Sequence, residues 1–126
     1  MHLYSSDDEL AIEGTVAELN QLAETIIKLN NGDTHCLTAS LDTMAEPYNE
    51  LLEKIVLSCN SSKIKCSVSG KVLNLEFPEN SREIVASYFS YFTSESVDGD
   101  HCHFDKIGNE ELFDNESIEM VIQYGH

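Results

Sequence analysis

The residues best suited to chemistry stand together near the C-terminal end, in His101-Cys102-His103. On an extended strand alternate side chains share a face, so His101 and His103 point one way and Cys102 the other. Paired imidazoles can begin a zinc or nickel site, with Asp100, Asp105 or His126 as further ligands. A closed site needs four ligands, and this sequence names two. The plainer reading gives the histidines hydrogen bonds on a sheet face and packs Cys102 in the core. The expectation is no resident metal and no cofactor, with His101 and His103 the metal candidates if one is held.

Catalysis finds less support. A nucleophile needs a base within reach and a donor for the oxyanion. The chain has no Gly-x-Ser-x-Gly elbow, no reactive-cysteine signature and no Gly-rich phosphate loop. Cys36 and Cys102 each follow a histidine, but neighbours on a strand point apart. With 23 acidic residues a glycosidase-like carboxylate pair is easy to draw and says little. The chain reads as a non-enzyme.

Charge says more. Against 23 Asp and Glu stand 7 Lys and Arg, a net charge of −16 over 126 residues. Such a field repels nucleic acid and anionic lipid and draws in basic proteins. From Glu95 to Glu119 there are nine acids and a single base, Lys106. Asp98, Asp100, Asp105, Glu110, Glu111, Asp114 and Glu116 are therefore the expected partner-binding residues. The bland counterpart is a solvated acidic loop.

The elements that must carry these residues follow from apolar spacing. Residues 1–8 read as a flexible acidic arm and 9–126 as a single α+β domain. Leu10 and Ile12 alternate as a short strand that Gly14 ends. Thr15-Val16-Ala17-Glu18 is a capping box. The helix it opens buries Val16, Leu19, Leu22, Ala23, Ile26 and Leu29 and stops at Asn31-Gly32. A strand follows around His35–Leu41. Residues 42–53 are ambiguous: Thr43-Met44-Ala45-Glu46 followed by Pro47 could start a short helix with Tyr48, Leu51, Leu52 and Ile55 on one stripe. Ile55-Leu57-Cys59, Ile64-Cys66-Val68 and Leu73-Leu75-Phe77 read as three strands of an antiparallel meander, turning at Asn60-Ser61-Ser62 and Ser69-Gly70. Asn80 or Ser81 caps a second helix with Ile84, Val85, Tyr88, Phe89 and Phe92 inward. His101–Phe104 and Ile118–Tyr124 are the last strands, joined by the acidic loop 105–116. Leu10-Ala11-Ile12-Glu13 through Gly32-Asp33-Thr34-His35-Cys36 weakly resembles Leu73-Asn74-Leu75-Glu76 through Gly99-Asp100-His101-Cys102, an internal β-α-β repeat. The expected fold is one mostly antiparallel sheet with two helices on one face.

No apolar run reaches 18 residues, and Met1–Glu9 has neither a basic nor an apolar leader segment. The expected location is the cytoplasm. There the four cysteines, Cys36, Cys59, Cys66 and Cys102, are expected as free thiols, with a Cys59–Cys66 bridge across a hairpin as the alternative.

The strand Leu73-Asn74-Leu75-Glu76-Phe77, the stretch Gly99-Asp100-His101-Cys102-His103-Phe104 and the ending Glu116-Ser117-Ile118-Glu119-Met120-Val121-Ile122 carry a resemblance. Over about residues 51–122 the chain resembles the bacterial polymorphic-toxin immunity proteins catalogued as number thirty-two. Its matching positions are His101, His103 and Ser117. The resemblance implies a protein made beside a secreted toxin that binds and neutralises it. Read structurally, the two histidines brace loop 105–116 and Ser117 satisfies a backbone group there. The implied partner is a cognate toxin with a basic cleft, not nucleic acid and not a membrane. Two other readings stand beside it: a nucleic-acid mimic that blocks a DNA- or RNA-binding effector, and a small His-based metal-binding domain. Oligomeric state is left open.

Overall fold

The Thr15 hydroxyl accepts from the Glu18 N–H at 3.1 Å, and the Glu18 carboxylate accepts from the Thr15 N–H at 3.0 Å. This reciprocal cap starts α1 (Val16–Lys28), whose inward stripe is Leu19, Leu22, Ala23 and Ile26. The computed structural model describes residues 1–105 and 110–125. Around α1 it places strands β1 (His2–Ser5), β2 (Glu9–Gly14), β3 (Thr34–Thr38), β4 (Glu50–Leu52) and β5 (Lys54–Ser58). The second half supplies β6 (Lys65–Ser69), β7 (Val72–Glu76), α2 (Arg82–Phe89), β8 (His101–Phe104) and β9 (Glu119–Tyr124), with a short 3-10 turn at Glu79–Ser81.

The strands form two sheets, not the expected single one. Five strands run in the order β4-β1-β2-β9-β8 and four in the order β3-β5-β7-β6. Each sheet has a parallel pair at its centre, β2 with β9 and β5 with β7. The antiparallel meander is also overturned: β7 lies between β5 and β6, so only β6 and β7 form a hairpin. The physical reason is that period-two alternation fixes which side chains face inward but not which strand is the neighbour. Cys59 and Cys66 therefore do not face each other across a hairpin, and both are buried free thiols.

The pairings reveal a two-unit plan. Unit one runs β1-β2-α1-β3-β5 and unit two β6-β7-α2-β8-β9, with β4 inserted in the first. Each sheet takes the first hairpin of one unit and the last two strands of the other. The strand-helix-strand segments thus cross between sheets instead of returning to one. Their turns match bond for bond. Gly32 N–H donates to Cys59 O and Cys59 N–H to Asp33 O; Gly99 N–H donates to Tyr124 O and Tyr124 N–H to Asp100 O. Gly32 has φ +96° and Gly99 φ +92°, the left-handed region that glycine enters without a Cβ penalty.

Two further expectations change. Residues 2–5 are not a frayed arm: β1 lies between β2 and β4, and Leu3 is fully buried. Four residues beside a polar run are too short a pattern to read as a strand. Residues 39–49 hold no helix but a strap along β1. Ser40 N–H donates to Met1 O, Asn49 N–H to Ser5 O, and the Glu46–Pro47 bond is cis.

The inward rows of both sheets and the inner faces of α1 and α2, which pack on each other, make one core. Phe77, Phe89 and Phe104 are fully buried, each worth about 1.5–3 kcal/mol on area burial. Among the described residues no helix is long and apolar enough to cross a membrane.

Candidate protein-docking face

The face of the five-stranded sheet turned away from the core is the candidate site. Register places its side chains in three rows. The middle row is Leu51, Tyr4, Ala11, Val121 and His103. To one side lie His2, Glu13, Gln123 and His101. To the other, Glu9 sits beside Glu119 on the parallel neighbour. Thus the face has an apolar centre flanked by carboxylates.

The β1–β2 half is overlaid by the strap. Tyr48 stacks on Tyr4 at 5.1 Å between ring centroids and 25° between planes. Beside them lies a cleft of about 190 Å³ lined by Tyr4, Ala11, Glu13, Glu46, Pro47, Tyr48 and Gln123. Glu13 is a hub: its carboxylate takes Gln123 Nε2 at 3.3 Å and the Tyr4 hydroxyl at 3.4 Å, and meets His2 Nδ1 at 3.4 Å. The other nitrogen of His2 lies 2.7 Å from Asp42 Oδ1, which pins the strap. That contact, with Ser40, holds the Asp42 carboxyl below its usual range. Burial pushes both phenols up; the Glu13 carboxylate adds to this at Tyr4 and the Glu9 carboxylate at Tyr48. The field over this half is negative.

The β9–β8 half is more open. His101, His103 and Glu119 are exposed, and Val121 and Gln123 are half-buried. The imidazoles share a face as expected, with centroids 5.3 Å apart, while Cys102 turns inward and its thiol contacts Tyr88 O at 3.4 Å. Burial raises the Cys102 thiol to about 11. Among the described residues no group of three or more His, Cys, Asp or Glu is placed to hold a metal ion. His126 lies outside the described residues.

The expected acidic set divides. Asp98 and Asp100 stand at the end of β8 near Tyr124, and the others at the opposite end. Asp100 holds its own turn together. Its Oδ2 accepts the Val97 N–H at 3.0 Å, as Asp33 Oδ2 accepts the Asn30 N–H at 2.9 Å in unit one. Asp105 lies close enough to Tyr88 to help raise that phenol, after burial. Glu110 and Asp114 border a groove with Ser62, Lys63 and Phe113, and exposed Glu111 adjoins it. Asp114 Oδ1 accepts the Glu116 N–H at 2.8 Å, and Glu116 pairs with Lys65 at 3.8 Å. Of loop 105–116, residues 106–109 lie outside the described ones.

Sequence reasoning missed four carboxylates. Asp7 and Asp8, in the β1–β2 turn, line a shallow groove with Ser117, Ile118 and Glu119, and Glu9 pairs in register with Glu119. The first two belonged to the supposed arm, so no spacing signal linked them to Glu119. Ser117 satisfies a backbone group, but on β6 and not in its own loop: its Oγ accepts the Cys66 N–H at 2.8 Å. The His101 ring contacts Gly99 O at 3.1 Å, on the turn before β8.

No family model matches the chain, and neither a curated protein nor a solved structure matches it.

Proposed function

We propose that this chain is an immunity-type inhibitor that binds and neutralises a basic protein toxin, docking through the outer face of its five-stranded sheet. One observation carries the reading. Asp7, Asp8, Glu9 and Glu119, from two segments distant in sequence, gather along one side of the row Leu51, Tyr4, Ala11 and Val121. An apolar centre inside a polar rim is the usual anatomy of a protein interface. The surplus of sixteen acidic over basic side chains supplies long-range attraction to a basic cleft and speeds encounter.

Scale matters too. Five strands at about 4.8 Å spacing and three to six residues each give roughly 400 Å² of face. A standard interface uses about 800 Å² per partner. The strap must therefore take part, and it offers Leu41 and Met44, 57% and 72% exposed. The acidic segment 110–118 is the second contributor.

The test is co-expression with the toxin domain that this reading requires in the neighbouring gene. Protection of growth, with a complex that co-purifies, is the expected result. Unprotected cells, despite soluble inhibitor, would overturn the proposal.

A further inference from the structure

The cleft under the strap is not imposed by the fold, because the molecule contains its own control. In the two-unit plan Ala11 of β2 corresponds to Asn74 of β7, Tyr4 of β1 to Ser67 of β6, and Glu13 to Glu76. Glu76 is paired in register with Lys65, whereas the register partner of Glu13 is His2, whose Nδ1 lies 3.4 Å from the Glu13 carboxylate. Among the described residues neither Lys nor Arg lines the cleft, while Glu13 of β2 and Glu46 of the strap both do. Ala11, the smallest side chain of its row and 3% exposed, leaves the floor hollow. Tyr4, 8% exposed, lines it with a hydroxyl that meets the Thr43 side chain and makes a long 3.4 Å contact to Glu13.

We propose that this cleft is a socket for the guanidinium of an arginine side chain on the basic partner. The inference rests on the docking reading above and names the residue that the face selects. Stacked tyrosines beside the cleft offer a flat, electron-rich wall to a planar cation. Two carboxylates offer acceptors to its five donors, a match that the point charge of lysine makes less well. About 190 Å³ equals some six waters at ~30 Å³ each, room for a guanidinium and part of its stem. The Glu46 carboxylate, exposed on the strap, completes the socket from above.

The experiment is an NMR titration of the full chain with L-arginine amide, L-lysine amide and the neutral isostere L-citrulline amide. Arginine amide is expected to shift the amides of Ala11 and Gln123 and the ring signals of Tyr4 and Tyr48, more strongly than lysine amide. Citrulline amide should leave them in place. A11L, which fills the floor, should abolish the response while amide dispersion shows an intact fold. E46Q, at an exposed position, should weaken it roughly two- to fivefold. Shifts confined to Asp7, Asp8 and Glu119, an equal response to citrulline, or unchanged affinity in E46Q would overturn the socket. Partner binding that falls in E9K/E119K but not in A11L would remove the socket and leave the docking face. Partner binding indifferent to E9K/E119K would remove the docking face while the titration still judges the socket.

Discussion

At the scale of single residues, the side chains with the sharpest structural roles are not the ones richest in chemistry. Ser117 closes a gap between the sheets. Ile64 N–H donates to Leu112 O, Asp114 N–H to Ile64 O and Ile118 N–H to Cys66 O, so segment 112–118 lies along the free edge of β6. The Cys66 N–H, within the same stretch, donates to the Ser117 hydroxyl at 2.8 Å in place of a backbone carbonyl. S117A leaves that donor unsatisfied and should cost about 1–3 kcal/mol in urea unfolding. The cysteines sort by burial. Cys66 is pushed up to about 12 by burial, offset in part by the Ser117 hydrogen bond, and Cys102 to about 11. Cys59 is raised by the same cause, and Cys36 is exposed on β3. A thiol-specific chromophore at neutral pH should label Cys36 within seconds and the other three only on unfolding. Fast labelling of two or more thiols in the folded protein would contradict the burial pattern. The alternation of His101, Cys102 and His103 was legible in the sequence. The role of Ser117 was not, because its partner is 51 residues away.

At the scale of elements, the capping box and the twin turns do the positioning. T15A removes one half of the reciprocal cap and should cost about 1 kcal/mol, measured as the loss of unfolding free energy. The same cap holds a pH dependence. Burial raises the Glu18 carboxyl, but the N-terminal ammonium at 2.7 Å and the bonds to Thr15 outweigh it, and the net shift is downward. A depressed carboxyl stabilises fully above the ordinary glutamate value of about 4.3 and loses that contribution as pH falls through its folded value. The wild type should therefore lose more stability than E18Q between pH 5 and pH 3. In the turns, G99A should cost about 1–2 kcal/mol from backbone strain alone, since no atom lies within 4 Å of the added Cβ. Helix α1 was readable because capping and 3.6-residue spacing are local signals. The pairing of β5 with β7 was not, because neighbour choice depends on where β6 lands. Nor was β4, whose three residues run through Glu53 into β5 and the other sheet.

At the scale of the whole molecule, charge and topology act together. The crossing of the two units brings the β1–β2 turn beside β9, and so Asp7 and Asp8 beside Glu119. Net charge was plain from composition, whereas its focus needed the parallel pairing of β2 with β9, which no local pattern encodes. The outer face of the four-stranded sheet differs: Lys54 and Lys65 stand there among Thr34, Cys36, Ser58 and Ser67. A basic partner should therefore favour one face. The measurement that tests this most directly compares partner affinity in two variants with the same change in charge. E9K/E119K reverses the acidic end of the docking face, and E24K/E83K reverses exposed positions on α1 and α2. The first should weaken binding at least tenfold and flatten its salt dependence, and the second should change affinity by less than about threefold. Equal losses in both variants, or a loss in the helix pair alone, would contradict a partner seated on the five-stranded sheet.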